Sequence, residues 1–135
     1  MESFDYKIVE EAAKQLYIRA LCDLPPDVRE AIKKATARET QPTAKEVFKA
    51  MLAAIDIADE KKTLICQDTG LPLYMLKIGS RFHWDGAEIK DRIHEGAKRA
   101  TLEFPFRSSA TDFLTRVNSQ TSVGKGLPVL YVDFL

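Results

Sequence analysis

The hydrophobic period of the chain changes after Lys61 and Lys62, and this change limits the possible folds more than any other feature. Before it, apolar residues recur every three to four positions in three successive segments, which is typical of amphipathic helices. After it, short apolar runs at 63–65, 71–78 and 128–135 are typical of strands. The pattern predicts an α+β fold with several helices and a small sheet.

Prolines set the boundaries of the first helices. Pro25-Pro26 ends a helix predicted over 5–21 and starts the second one, because proline is tolerated only in a first helical turn. Pro42 ends that second helix. Thr43 and Glu46 have the spacing of a capping box, which predicts that the third helix begins at Thr43.

The third and fourth helices each have a predicted apolar stripe. The stripe of the third includes Met51 as a core residue, together with Val47, Ala50, Ala54, Ile55 and Ala58. The fourth is predicted over 85–102 with Asp85 as its capping residue. It should bury Ile89, Ile93, Ala97 and Ala100. We therefore expect about four main helices packed on a small β-sheet, in one domain over 1–135.

Charge composition argues against two classes of partner. The chain has 20 Lys and Arg against 20 Asp and Glu. Nucleic acids and anionic membrane surfaces favour a basic face, so neither is an expected partner. No apolar stretch approaches the roughly 20 residues that span a bilayer. The N-terminus has neither a secretory nor a transit pattern, so the expected location is cytoplasmic.

The segment 66–70 concentrates reactive groups at the edge of a predicted strand. Its thiol, amide, carboxylate and hydroxyl belong to Cys66, Gln67, Asp68 and Thr69, and Gly70 follows them. A thiolate binds soft metals and iron–sulfur clusters, so Cys66 is a candidate ligand with substrate-binding neighbours. Alternatively, the segment is a tight turn in which Asp68 and Thr69 bond nearby amides and Gly70 has a positive φ. Spacing alone leaves both interpretations open.

Other polar or unusual residues have simpler interpretations. Cys22 ends a helical pattern and is expected to be a small buried hydrophobe. His83 and His94 could be metal ligands, but surface or partly buried positions are favoured for them, and Trp84 is expected in packing rather than as a binding platform. The sequence around Lys125 is either a flexible turn or an anion cradle, although it lacks full phosphate-loop spacing.

The 66–70 motif and the strand after it resemble the first cysteine motif of class I fumarate hydratases and L-tartrate dehydratase α subunits. Further similar pieces follow in the same order along the chain. They are His94-Glu95-Gly96, Pro105-Phe106-Arg107, Asn118-Ser119 and Gly124-Lys125-Gly126-Leu127-Pro128. The resemblance implies the N-terminal part of a hydro-lyase that reversibly dehydrates a small 2-hydroxy dicarboxylic acid. The reaction would convert malate to fumarate or tartrate to oxaloacetate.

The resemblance also implies a cofactor and site residues. That family uses a [4Fe–4S] cluster on three cysteines, with one open iron as Lewis acid. Carried over, Cys66 would be one cluster ligand. Gln67 and Asp68 would contact the substrate, with Asp68 the candidate catalytic residue. Arg107 would pair with a substrate carboxylate, which its planar guanidinium suits.

The chain departs from the family pattern in its ligands. The other two cluster cysteines and the proton-transfer residues of the family fall beyond residue 135, and Cys22 lies where the family has no ligand. Ser108-Ser109 also stands where the family usually has Pro-Asn. We therefore expect an enzyme part that is incomplete alone and works with a C-terminal region or β subunit, as a homo- or hetero-oligomer. The alternative is a non-catalytic module for assembly or carboxylate binding through Arg107, Lys125 and the Asp68 turn.

Overall fold

The structure, a computed structural model, describes residues 4–135. Within them the helices are α1 (Lys7–Cys22), α2 (Pro26–Arg38), α3 (Pro42–Lys61) and α4 (Gly86–Glu103). The strands are β1 (Leu73–Ile78) and β2 (Val129–Phe134). The predicted α+β class, with helices and a small sheet, is confirmed. No helix of this described range is long and apolar enough to cross a membrane.

The chain divides into two compact units. Residues up to Ile18 join Asp68–Leu135 in one, and Arg19–Gln67 form the other. We call them the sheet unit and the helical unit. The prediction of a single domain over 1–135 stays a prediction.

The sheet unit is built on a parallel strand pair whose register runs from Leu73 opposite Val129 to Ile78 opposite Phe134. One face of this pair packs on α1 and α4. The core there consists of Ala13, Ile89 and Ile93, with Tyr6, Val9, Tyr74, Leu76 and Leu130 packed against it. The four residues predicted to be buried on α4 are all buried.

The start of α4 follows from its capping residue. The Asp85 carboxylate accepts hydrogen bonds from the amides of Ala87 at 2.8 Å and Glu88 at 3.2 Å. These amides lack partners within the helix, so the cap stabilises its first turn. The predicted cap is confirmed.

Helices α1 and α4 approach closely and share a charge cluster. A Cβ atom on Gly96 would lie 2.4 Å from the Glu10 carbonyl oxygen, so only glycine fits there. The Glu10 carboxylate accepts hydrogen bonds from Arg99 at 2.8 Å and Arg92 at 3.1 Å. These bonds, that of Arg99 foremost, lower the pKa of Glu10.

In the helical unit, Arg29 of α2 pairs with Asp56 at 2.9 Å and with Asp59, both on α3. Helix α3 ends at Lys61, and its cap residue, Lys62, has a left-handed φ of 51°. The chain then passes the end of α1, where the Ile65 amide donates to the Leu21 carbonyl at 3.2 Å.

Three predictions for this unit are wrong. Residues 63–65 form no strand, because the amides of Thr63 and Ile65 bond to helical carbonyls instead of a sheet. Helix α3 begins at Pro42 with Gln41 as its cap residue, so Thr43 is already helical and caps nothing. Met51 is 43% exposed and is therefore not a core residue. Of its predicted stripe, α3 buries only Ile55 and Ala58.

Candidate functional site

The motif 66–70 is an irregular segment between α3 and β1. Cys66, Gln67 and Asp68 are exposed, whereas Thr69 is only 4% exposed. Gly70 has a φ of +60°, as the turn interpretation predicts. Cys66 and Gln67 belong to the helical unit, and Asp68 opens the sheet unit.

The buried Thr69 hydroxyl connects the motif to a distant part of the sheet unit. It donates to the carbonyl oxygen of Arg107, 38 residues further along the chain, and lies 3.1 Å from Ser109 Oγ. The turn interpretation predicted bonds to nearby amides for Thr69, and in this respect it is wrong. Its hydroxyl instead bonds to the backbone of Arg107, whose side chain lies beside Asp68.

Asp68 and Arg107 lie close to each other within the sheet unit. Asp68 Oδ1 lies 3.7 Å from Arg107 Nη2, and their side chains are 81% and 66% exposed. An exposed ion pair of this length contributes little to stability, so its partners can exchange for others at small cost. The site therefore presents a carboxylate and a guanidinium together to solvent.

The loop after Arg107 is held by its own hydrogen bonds. Asn118 Nδ2 donates to the Ser108 carbonyl and to Thr111 Oγ1, both at 3.1 Å. Asp112 Oδ1 accepts from the Thr115 amide at 2.7 Å. Bonds to Thr115 lower the pKa of Asp112. Arg107 thus precedes a connection whose segments are joined by side-chain hydrogen bonds.

The remaining candidates lie elsewhere on the sheet unit. Gly124 and Leu127 pair across a turn that contains Lys125, as predicted, and the anion-binding interpretation of this turn stays a prediction. Lys125 also lines a groove of about 520 Å³ formed by residues 110–127. His94 on α4 is half-buried, and burial, with Lys90 adding to it, lowers its pKa.

Trp84 behaves as predicted, whereas Cys22, predicted to be buried, does so only in part. Trp84 packs, since its ring centroid lies 6.0 Å from that of Phe134. Cys22 is half-buried, and burial, reinforced by Asp23, raises the pKa of its thiol. The thiolate form that binds metal is therefore disfavoured at Cys22.

The donor set does not fit a complete [4Fe–4S] cluster. The chain has two cysteines, and only Cys66 is exposed. Across residues 4–135, no three His, Cys, Asp or Glu side chains group closely enough to hold a metal. The residues present fit one ligand position at Cys66 and no more.

Comparison with known proteins gives the family. The family model described as fumarate hydratase (Fumerase) matches residues 10–135. The chain belongs to the fumarate hydratase family. The resemblance of the 66–70 motif is thereby confirmed at the level of the family.

Individual relatives agree with the family model. A Methanocaldococcus jannaschii protein provisionally named L(+)-tartrate dehydratase subunit alpha is 35% identical over 93% of the chain and 45% of its own length. A Geobacillus stearothermophilus protein provisionally named fumarate hydratase class I is 37% identical over 89% of the chain and 23% of its own length. The L(+)-tartrate dehydratase subunit alpha of Escherichia coli K12 is 29% identical over 83% of the chain and 37% of its own length. The chain spans less than half the length of each.

The site as described contains one residue that sequence reasoning missed. Thr69 was considered only as part of a local turn, although it contacts Arg107 and Ser109. Its position in the resembling motif was the only available signal. The roles of Cys66, Gln67, Asp68 and Arg107 stay predictions.

Proposed function

We propose that the chain forms part of the active site of a hydro-lyase that reversibly dehydrates a small 2-hydroxy dicarboxylic acid. The reaction is malate to fumarate or tartrate to oxaloacetate. Membership of the fumarate hydratase family supports the reaction class, and the names of the relatives support the two substrates. The observation that carries the proposal is the exposed pair of Asp68 and Arg107, 3.7 Å apart.

Arg107 binds one carboxylate of the substrate. Its guanidinium can offer two parallel N–H donors to a carboxylate, which fixes the orientation of a small acid as well as holding it. The substrate carboxylate replaces the weak, exposed contact to Asp68, so little stability is lost when it binds.

Asp68 then stands beside the bound acid with its carboxylate exposed. We assign it the catalytic role at this end of the site, where its carboxylate can accept a hydrogen bond from the substrate hydroxyl and so orient the group that leaves as water. Gln67, the preceding residue, supplies an amide that can donate to and accept from the same polar substrate.

Cys66 supplies one ligand to a [4Fe–4S] cluster. Because one thiolate cannot hold such a cluster, the remaining ligands come from a further region of polypeptide or a β subunit. The name of the E. coli relative, a subunit alpha, supports such a partner. The active form is therefore a homo- or hetero-oligomer or a longer polypeptide. We place it in the cytoplasm, without nucleic-acid or membrane partners.

The proposal is tested by kinetics on the native assembly, purified anaerobically. Arg107→Gln should raise the KM for malate or tartrate strongly, since a charged hydrogen bond to the carboxylate is lost. Arg116→Gln is the matched control, because it removes an exposed guanidinium from the same loop. A native assembly that dehydrates neither acid, or equal KM values for both variants, contradicts the proposal.

The second candidate is a non-catalytic carboxylate-binding module, which the presence of a single exposed cysteine favours. It predicts that the native assembly binds malate through Arg107 yet contains no cluster and turns nothing over. Cluster absorbance together with dehydration excludes it.

A further inference from the structure

The contact between Asp68 and Arg107 needs a cause, since the two residues lie far apart in the sequence. Their ion pair is exposed at both ends and contributes little on its own. It is too weak to set the distance between the two segments by itself. Another interaction must therefore fix their distance.

The buried hydroxyl of Thr69 is that interaction. It is adjacent to Asp68, is 4% exposed, and donates to the backbone carbonyl of Arg107 itself. It also lies 3.1 Å from Ser109 Oγ, two residues after Arg107. This hydrogen bond is part-buried, so its loss costs more than a broken surface ion pair. The segment pairing is thus controlled by Thr69 rather than by the charges.

We infer that Thr69 is a positioning residue for substrate binding: its hydroxyl holds the backbone at Arg107 so that the guanidinium stands beside Asp68. The inference rests on the proposed function for its substrate, a dicarboxylate. Thr69 itself, being buried, touches no substrate.

Three variants, each made in the native assembly, separate this role from a general loss of stability. Thr69→Val keeps the shape and removes the hydroxyl, and Thr69→Ser restores the hydroxyl. Thr101→Val is the matched control in the same unit. Thr101 is also buried, at 6% exposure, and its hydroxyl donates to the Ala97 carbonyl and accepts from the Ser122 amide.

The readouts are nuclear relaxation at the Arg107 amide and Nε–H, and titration with L-malate. In Thr69→Val we expect greater mobility at both Arg107 positions and about tenfold weaker malate binding. Thr69→Ser should match the wild type in Arg107 mobility and in malate binding. Thr101→Val should also match the wild type in these two properties, even if its urea midpoint falls as far as that of Thr69→Val.

The outcomes separate the inference from the proposed function. Unchanged Arg107 mobility in Thr69→Val, or an equal increase in Thr101→Val, overturns the inference. If the wild type binds no malate, the proposed role of Arg107 in this chain fails. In that case the relaxation at Arg107 alone tests the inference about Thr69.

Discussion

Replacing Gly96 by alanine tests the close approach of α1 and α4. The added Cβ would lie 2.4 Å from the Glu10 carbonyl oxygen, 2.8 Å from Ala13 Cβ and 3.0 Å from the Lys14 amide nitrogen. Two of these three atoms are helix backbone, which cannot rotate away as a long side chain can. One of the helices must therefore shift.

The size of the effect follows from two opposing terms. Alanine is better than glycine inside a helix by about 1 kcal/mol, which favours the variant. Overpacking a well-packed contact costs about 1–3 kcal/mol, and rigid backbone on the other side places this case near the upper end. The free energy of unfolding should therefore fall by about 2 kcal/mol.

Urea unfolding followed by fluorescence measures this, because the chain has one tryptophan and Trp84 lies in the same unit. Gly79→Ala is the control, since a Cβ there meets nothing within 4 Å and its free energy of unfolding should change by less than about 0.5 kcal/mol. If Gly96→Ala is as stable as the wild type or more so, helix propensity dominates and the described approach of the two helices is wrong.

Substitutions at two further positions test the charge cluster of α1 and α4 and the cap of α4. Glu10→Gln should lower the free energy of unfolding at pH 7 by about 1 kcal/mol, because Arg92 and Arg99 lose a shared carboxylate that is largely buried. The pKa of Glu10 is lowered in the fold, so its stabilising contribution is present above its ordinary value of 4.5 and is lost as the pH falls through the folded value. Urea midpoints of wild type and variant should thus converge at acid pH, and a constant difference from pH 7 to pH 2 would contradict this. Asp85→Ala should cost about 1 kcal/mol in thermal unfolding, whereas Asp85→Ser should retain most of the stability, since serine also caps. Equal losses in both variants would show that the carboxylate acts otherwise than as a cap.

Local signals predicted the parts of the fold that depend on local contacts. Asp85 caps α4 because its partners are two and three residues away. The parallel strands β1 and β2 lie within the predicted apolar runs, although their pairing joins distant residues and could not be derived. Met51 shows the limit of periodicity, because a helical stripe identifies a face but not whether another element covers it.

The candidate site was predictable only in part for the same reason. A compact polar motif at 66–70 identified the segment, and the family resemblance directed attention to Arg107. The contact that joins them runs from Thr69 to a residue 38 positions away. No local pattern encodes such a bond, because it exists only once the segment around Arg107 has folded against Thr69.

The central claim is that Cys66 anchors a cluster in a hydro-lyase built partly from this chain. It is tested most directly by Cys66→Ser and Cys22→Ser in the native assembly, purified without oxygen and assayed for iron–sulfur absorbance and for dehydration of malate and tartrate. We expect Cys66→Ser to lose both properties. Cys22→Ser should keep both, because its half-buried thiol is no ligand. Full absorbance and activity in Cys66→Ser would contradict the claim.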